Sequence, residues 1–164
     1  MKQLPKTLES KCVIHYHDCD PFNHLNNSRY IDYIVAARTE QLLDKYNFNT
    51  AELAYKQGIG WVVAQTQISY IYPASWMETV TIESRLIHYS EHSLLVEAFM
   101  WDEHKQKLKA VMWAKLVHFN IKTQKSLKHS EAFMQLFSDI VSPIEHAVSF
   151  EERVKSLKQA VPSV

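Results

Sequence analysis

Residues 15–30 read HYHDCDPFNHLNNSRY, from His15 to Tyr30. Three histidines, two aspartates and three asparagines crowd into this stretch. Three uses would account for them: a metal site, an acid–base site, or a polar loop that starts a helix. The flanks narrow the choice. Before it, Lys11 to His17 is rich in β-branched and aromatic residues and reads as a strand. After Pro21, Asn26 or Asn27 offers a side-chain oxygen to the first free amides of a helix. From Ser28 to Tyr46, apolar residues (Tyr30, Ile31, Ile34, Val35, Leu42, Tyr46) recur at three- and four-residue steps, and Ala36 and Ala37 widen the stripe. The stretch is the junction between a first strand and a long, mostly apolar helix. Such a helix is wrapped by other structure rather than laid on a surface.

The metal use is the weaker one. His15 and His17 are two apart and share one side of a strand, and Asp18, Asp20 and His24 are ligand types. Within the stretch, however, no His-x-x-x-His or paired cysteines fix a tetrahedral set, so no metal is expected. Cys19 lies beside Asp20, but no spacing identifies a histidine partner for it, which argues against a cysteine nucleophile.

Working outward, a second, shorter helix is expected from Thr50 to Gln57, and after Gly60 the apolar period changes to two. Trp61–Tyr72, ended by Pro73, reads as a strand, followed by Thr79–Tyr89, Ser93–Trp101 and Leu108–Phe119. In Thr79–Tyr89, Val80, Ile82 and Leu86 share one face and Thr79, Thr81, Glu83 and Arg85 the other. The links at Ser90–Glu91 and Asp102–Lys105 are short enough for antiparallel hairpins. Helices are expected at 131–141 and from Phe150 to Leu157. The order is strand, long helix, then a four-stranded meander: an α+β domain in which an antiparallel five-stranded sheet wraps a long central helix. Val111, Trp113, Val117 and Phe119 make the second face of the last strand apolar too. That predicts cover by a partner chain or a lined ligand tunnel.

Composition excludes several functions. The 164 residues suit one domain, and 46% of them are hydrophobic, which rules out a disordered chain. Lys plus Arg and Asp plus Glu are 18 each, with no basic stripe for a nucleic-acid backbone. Only Gly58 and Gly60 are glycines, too few for a phosphate-gripping loop or a dinucleotide fingerprint. Two cysteines, Cys12 and Cys19, make no disulfide framework. The polar start, MKQLPKTLES, lacks the apolar core of a signal peptide, and no run approaches a membrane span. The expectation is a cytoplasmic protein with no cofactor and no membrane or nucleic-acid partner.

Asp18-Cys19-Asp20-Pro21, then His24-Leu25-Asn26-Asn27 and Tyr30, is similar to the signature "D-x-D-P/x-x-G-H-V-N-N-x-x-Y" of the hotdog-fold thioesterases. Tyr70-Ile71-Tyr72-Pro73-Ala74 is similar to their "Y-x-x-P-A" stretch. Trp76 to Ile82 resembles the opening of their next strand, although the family's Gly-Asp pair reads Met77-Glu78 here. The chain thus resembles the 4-hydroxybenzoyl-CoA and acyl-CoA thioesterase group over about residues 11–120. The resemblance implies one hotdog domain over 1–164, with that core and a helical extension over about 130–158. It departs from the family at Asn23, where many relatives have glycine, and at Val35-Ala36-Ala37-Arg38, which lacks the glutamates many relatives carry before the arginine.

The implied activity is hydrolysis of an acyl- or aryl-CoA thioester to free acid and CoA. A thiolate leaves readily, so two services remain: attack on the carbonyl, or activation of water, and stabilisation of the oxyanion. The resemblance puts the first on Asp20, as nucleophile or general base, with His24 as a second catalytic candidate that bonds within the loop and helps place the oxyanion-binding amides. Amides at the helix N-terminus, aimed by Asn26 and Asn27, supply the second. Tyr30 and Trp61 are expected to line the substrate pocket. Asp18 reads as a loop acid. Arg85, Lys105, Lys107 and Lys122 are candidates for the CoA phosphates. The family's active sites lie between subunits, implying a homodimer or homotetramer joined through the 61–72 strand. A non-catalytic acyl-CoA or acyl-carrier binding protein is the alternative; a hotdog dehydratase would need a His–Asp arrangement not found here.

Overall fold

The computed structural model describes residues 3–146 and 149–161. Five long strands form an antiparallel sheet: β1 (Thr7–Val13), β2 (Ile59–Tyr70), β3 (Thr79–Tyr89), β4 (Ser93–Asp102) and β5 (Leu108–Asn120). They lie in the order β1-β3-β4-β5-β2, and a two-residue β6 (Lys125–Ser126) adds to β5. The long helix α1 (Tyr30–Tyr46) runs along the inner face. This is the hotdog fold. Register shifts at Val63/Gln65, Leu86/His88 and Met100/Trp101 interrupt the ladders. Such bulges add local twist and help a sheet curl.

The inner core explains the approach of helix to sheet. Tyr30, Ile34 and Ala37 of α1 meet Val80, Ile82, Met100 and Met112. Ala98, Ala110 and Ala114 keep the strand surface low where the helix crosses, and all three are buried. A short helix α2 (Thr50–Glu52) and one π-helical turn (Leu53–Gln57) lead into β2. Helix α3 (Glu131–Ile140), capped by Ser130, packs Phe137 and Ile140 on Leu86 and Val96.

The outer face has its own cover. Helix α4 (Phe150–Ala160) starts with a capping box formed by Ser149 and Glu152. It lays Phe150 and Val154 on Phe99, Val111 and Trp113. The apolar second face predicted for the last strand is real at Val111 and Trp113, but this chain covers it. Neither a partner nor a ligand tunnel is needed there.

In the middle of that interface sits a fully buried carboxylate, Glu97. It accepts from Arg85 Nη2 (2.7 Å), Arg153 Nε (2.8 Å) and Trp113 Nε1 (2.9 Å). Burial pushes the carboxyl upward, yet the bonds from Arg153, Trp113 and Arg85 outweigh it and hold the group below its ordinary value.

Two local expectations are corrected. The first strand lies at Thr7–Val13, not 11–17: its partner residues on β3 are Thr79–Arg85, and the chain leaves the sheet after Val13. Tyr16–Asp18 forms a 3-10 turn instead, so His15 and His17 are not strand neighbours, although their rings stack at 5.6 Å. The helix begins at Tyr30, two residues later than expected, after a 3-10 turn at Asn27–Arg29.

Candidate active site

The polar stretch folds as a tight turn stitched to residues 74–77. Asp20 N–H donates to the His24 carbonyl (2.7 Å), and Asn23 N–H to that of Asp20 (3.0 Å). Leu25 N–H donates to Ala74 O (2.8 Å) and Trp76 N–H to Asn23 O (3.0 Å). Asn23, which replaces the family's glycine, has φ 61°; Met77, which replaces the other, has φ 64°. Both positions keep the left-handed backbone that glycine adopts freely. Asparagine tolerates it through its short polar side chain, whereas methionine is strained there.

Asp20 Oδ1 accepts from two amides of its own turn, Phe22 N (2.8 Å) and His24 N (3.1 Å). Among the described residues the other oxygen, Oδ2, has no hydrogen-bond donor. Asp20 lines a cavity of about 200 Å³ with His24, Asn27, Tyr30, Tyr70 and Pro73. Tyr30 forms the buried wall: its hydroxyl accepts from Ala74 N (3.0 Å), and its ring meets that of Tyr70 edge-on at 5.1 Å. Burial, the largest effect, raises its phenol. Tyr70 donates its hydroxyl to the Asn27 carbonyl (2.9 Å) and so ties β2 to the start of the helix.

Asn26 and Asn27 are close to this cavity but do not cap. Neither the 3-10 turn nor α1 has a side-chain cap, contrary to the sequence expectation. Tertiary bonds set the start instead: Asn26 N–H donates to Asp18 O (2.9 Å), and Arg29 N–H to Asn26 O (2.8 Å). The first helical amides therefore have no side-chain acceptor, and the helix dipole adds partial positive charge at that end.

Asp18 is a structural acid. Its buried carboxylate accepts from Tyr33 Oη (2.7 Å) and lies 3.6 Å from Arg29 Nε. Burial and this carboxylate push the Tyr33 phenol up to about 12.

Trp61 lies elsewhere in the same chain. It is the third residue of β2 and Tyr70 the last, so nine positions, about 30 Å, separate them along the strand. Trp61 stacks on His118 at 4.6 Å and donates Nε1–H to His129 Nε2 at 3.0 Å. His129 must then carry its proton on Nδ1, which donates to Ser90 O at 2.9 Å. Burial is the main cause that lowers the pKa of both His118 and His129. Trp61 also walls a second cavity, of about 360 Å³, between α1 and β2, with Ile34, Val35, Leu42, Val62 and Arg38. Sequence reasoning gave no sign of the histidine pair, because a β5 residue and a loop residue eleven positions later carry no periodic relation.

Of the phosphate candidates, Arg85 is spent on Glu97, and Lys105 pairs with Glu9 (2.8 Å) and with Glu83. Lys107 and Lys122 are exposed.

A family model described as the thioesterase-like superfamily matches residues 14–137. The long-chain acyl-CoA thioesterase FadM of Escherichia coli (strain K12) is 26% identical over 122 residues, covering 73% of this chain and 89% of that protein. A DHNA-CoA thioesterase from Staphylococcus aureus has a TM-score of 0.72 at 17% identity, covering 96% of this chain and 97% of its own. The S. aureus protein SAV2348, solved in complex with CoA, has a TM-score of 0.76 at 11% identity, covering 90% and 94%. The two solved structures are likenesses of fold. The family match covers most of the sequence and includes the Asp20 turn: the chain belongs to the thioesterase-like superfamily.

Proposed function

We propose that this protein hydrolyses acyl-CoA thioesters to a carboxylic acid and free CoA. One observation carries the proposal: Asp20 has one oxygen fixed by two amides and the other without a donor, in a cavity that borders the uncapped start of α1. In this reading Asp20 takes a proton from the water that attacks the thioester carbonyl, or attacks it directly to form a mixed anhydride that water then hydrolyses to the acid and free Asp20. Amides following Asn26 and Asn27 hold the oxyanion, and the C–S bond breaks to release the thiolate. His24 shapes the turn, and Tyr30 walls the acyl carbon's side. The site belongs to one hotdog domain with a core over about 11–120 and a helical extension over about 130–158, working in the cytoplasm without a cofactor.

The working unit in this proposal is a homodimer. Among the described residues β2 pairs only with β5, which leaves a twelve-residue edge with Val62 and Val63 exposed at 44% and 55%. Such an edge invites a second strand. Antiparallel pairing of two β2 edges about their middle sets the Trp61 end of one chain beside the Tyr70 end of the other. Trp61 would then serve the partner's substrate, in keeping with an active site between subunits.

Thiol release from a panel of acyl- and aryl-CoA thioesters tests the activity. Asp20→Asn should lower kcat/KM by about 10²–10⁴-fold, the usual worth of a positioned proton acceptor. Tight acyl-CoA binding without turnover would favour the non-catalytic alternative, and an Asp20→Asn enzyme at full rate would sink the role given to Asp20.

A further inference from the structure

The polar chain that crosses the inner core is satisfied at every link but one. Gln41 Nε2 donates to Ser10 Oγ (2.8 Å) and to Ile82 O (3.0 Å). Ser84 Oγ donates to Gln41 Oε1 (2.7 Å) and so must accept from Arg38 Nη1 (2.9 Å). Gln41 and Ser84 are buried. The chain therefore ends on a guanidinium whose orientation is fixed from behind. Arginine has five N–H donors, and among the described residues only one is used. Among the described residues no carboxylate lies within ion-pair distance of Arg38. Burial depresses its pKa to about 10, as expected for a cation with no counter-charge.

Arg38 lines the 360 Å³ cavity, whose other walls are almost wholly apolar, and a small adjoining cleft with Leu42, Leu86 and Phe137. A partly buried cation with no counter-charge is costly, and a fork of N–H groups matches a carboxylate. Resting on the thioesterase reading above, we propose that this groove takes an acyl chain with an aliphatic stem and a distal carboxylate, and that Arg38 is the specificity residue that binds the carboxylate. The aliphatic walls hold the stem, the guanidinium holds the far end, and Ser84 and Gln41 position the guanidinium.

The test compares CoA thioesters of six to sixteen carbons, each with a methyl end or an ω-carboxylate, on the full chain. At the best-fitting length the ω-carboxyacyl substrate should have the higher kcat/KM by about 10- to 100-fold, the range for a charge-assisted hydrogen bond gained. Arg38→Met should abolish or reverse that ratio, Arg38→Lys should keep part of it, and Ser84→Ala should reduce it. If Arg38→Met does not fold, the other two variants carry the comparison. Equal ratios in wild type and in every folded variant overturn the proposal. A second readout needs no turnover: quenching of tryptophan fluorescence by free dicarboxylic and monocarboxylic acids of equal length. Arg38-dependent preference for the diacid in a protein that hydrolyses nothing would sink the catalytic reading alone. Hydrolysis with no such preference sinks the assignment to Arg38 alone. Equal binding of the two acids, together with weaker self-association of Arg38→Met, would give Arg38 to a carboxylate of the second copy and overturn the proposal.

Discussion

The two faces of the sheet each hold an arginine-bearing polar network, and the two are finished differently. On the outer face two guanidiniums and an indole converge on Glu97, and with α4 in place the carboxylate is fully buried. On the inner face Ser84 and Gln41 lead to Arg38, and nothing in the described chain closes the end. A closed network joins parts of a fold, and one with a free donor end in a cavity is built to receive something. Opposite roles thus come from similar residues on neighbouring strands: Arg85 and Ser84 are adjacent in sequence and face opposite sides of β3.

The largest effect should come from breaking the closed network. Glu97→Gln keeps the shape but leaves two half-buried cations without their counter-charge, and it should cost about 3 kcal/mol in chemical denaturation. Trp113→Phe removes one neutral donor to a charged acceptor and should cost about 1.5–3 kcal/mol by the same measurement. Arg38→Met should be far milder, within about 1 kcal/mol in either direction, because it trades an uncompensated cation for an apolar side chain of similar reach. A loss as large as that of Glu97→Gln would erase the contrast and make Arg38 a structural residue.

Acid sharpens the comparison by direction rather than size. Glu97 is held below its ordinary 4.5, so its contribution is complete above that value and is lost as pH falls through the lower folded value. His118 and His129 are held below their ordinary 6.5, mainly by burial. The unfolded chain therefore binds more protons just below pH 6.5, and stability should fall from there downward. Protonated His129 can no longer accept from Trp61. Thermal melts between pH 7.5 and 5 should show this first loss, and His129→Phe should flatten it. A flat wild-type profile over that range would refute the linkage.

The meander was legible because it alternates. Thr79–Tyr89 is β3 to the residue, and the expected bounds of the next two strands fall within one residue of β4 and β5. β1 was misplaced because local composition favours Cys12 to Tyr16, whereas pairing with β3 decides, and β3 selects a segment containing exposed Glu9 and Lys11. The Asp20 turn was legible as a motif, including its two non-glycine departures. The absent asparagine caps were not, since bonds from Asn26 to Asp18 and from Leu25 to Ala74 start the helix across the fold. The amphipathic pattern of Phe150, Val154 and Leu157 announces α4, but its docking place depends on a contact between residues 97 and 153 that no window of sequence contains.

The placement of α4 also sets an order of events during synthesis. The five long strands are complete at Asn120, and the helix that covers their outer face ends at Ala160. At ribosomal speed those intervening residues take about 2–8 s to make. Throughout that interval Phe99, Val111 and Trp113 have no cover, and an uncovered apolar sheet face is an aggregation hazard. Glu97 and Arg85 stand among them as an ion pair, and charged side chains on a strand are how natural sheets guard such faces. The arrival of Arg153 then turns that guard into a clasp.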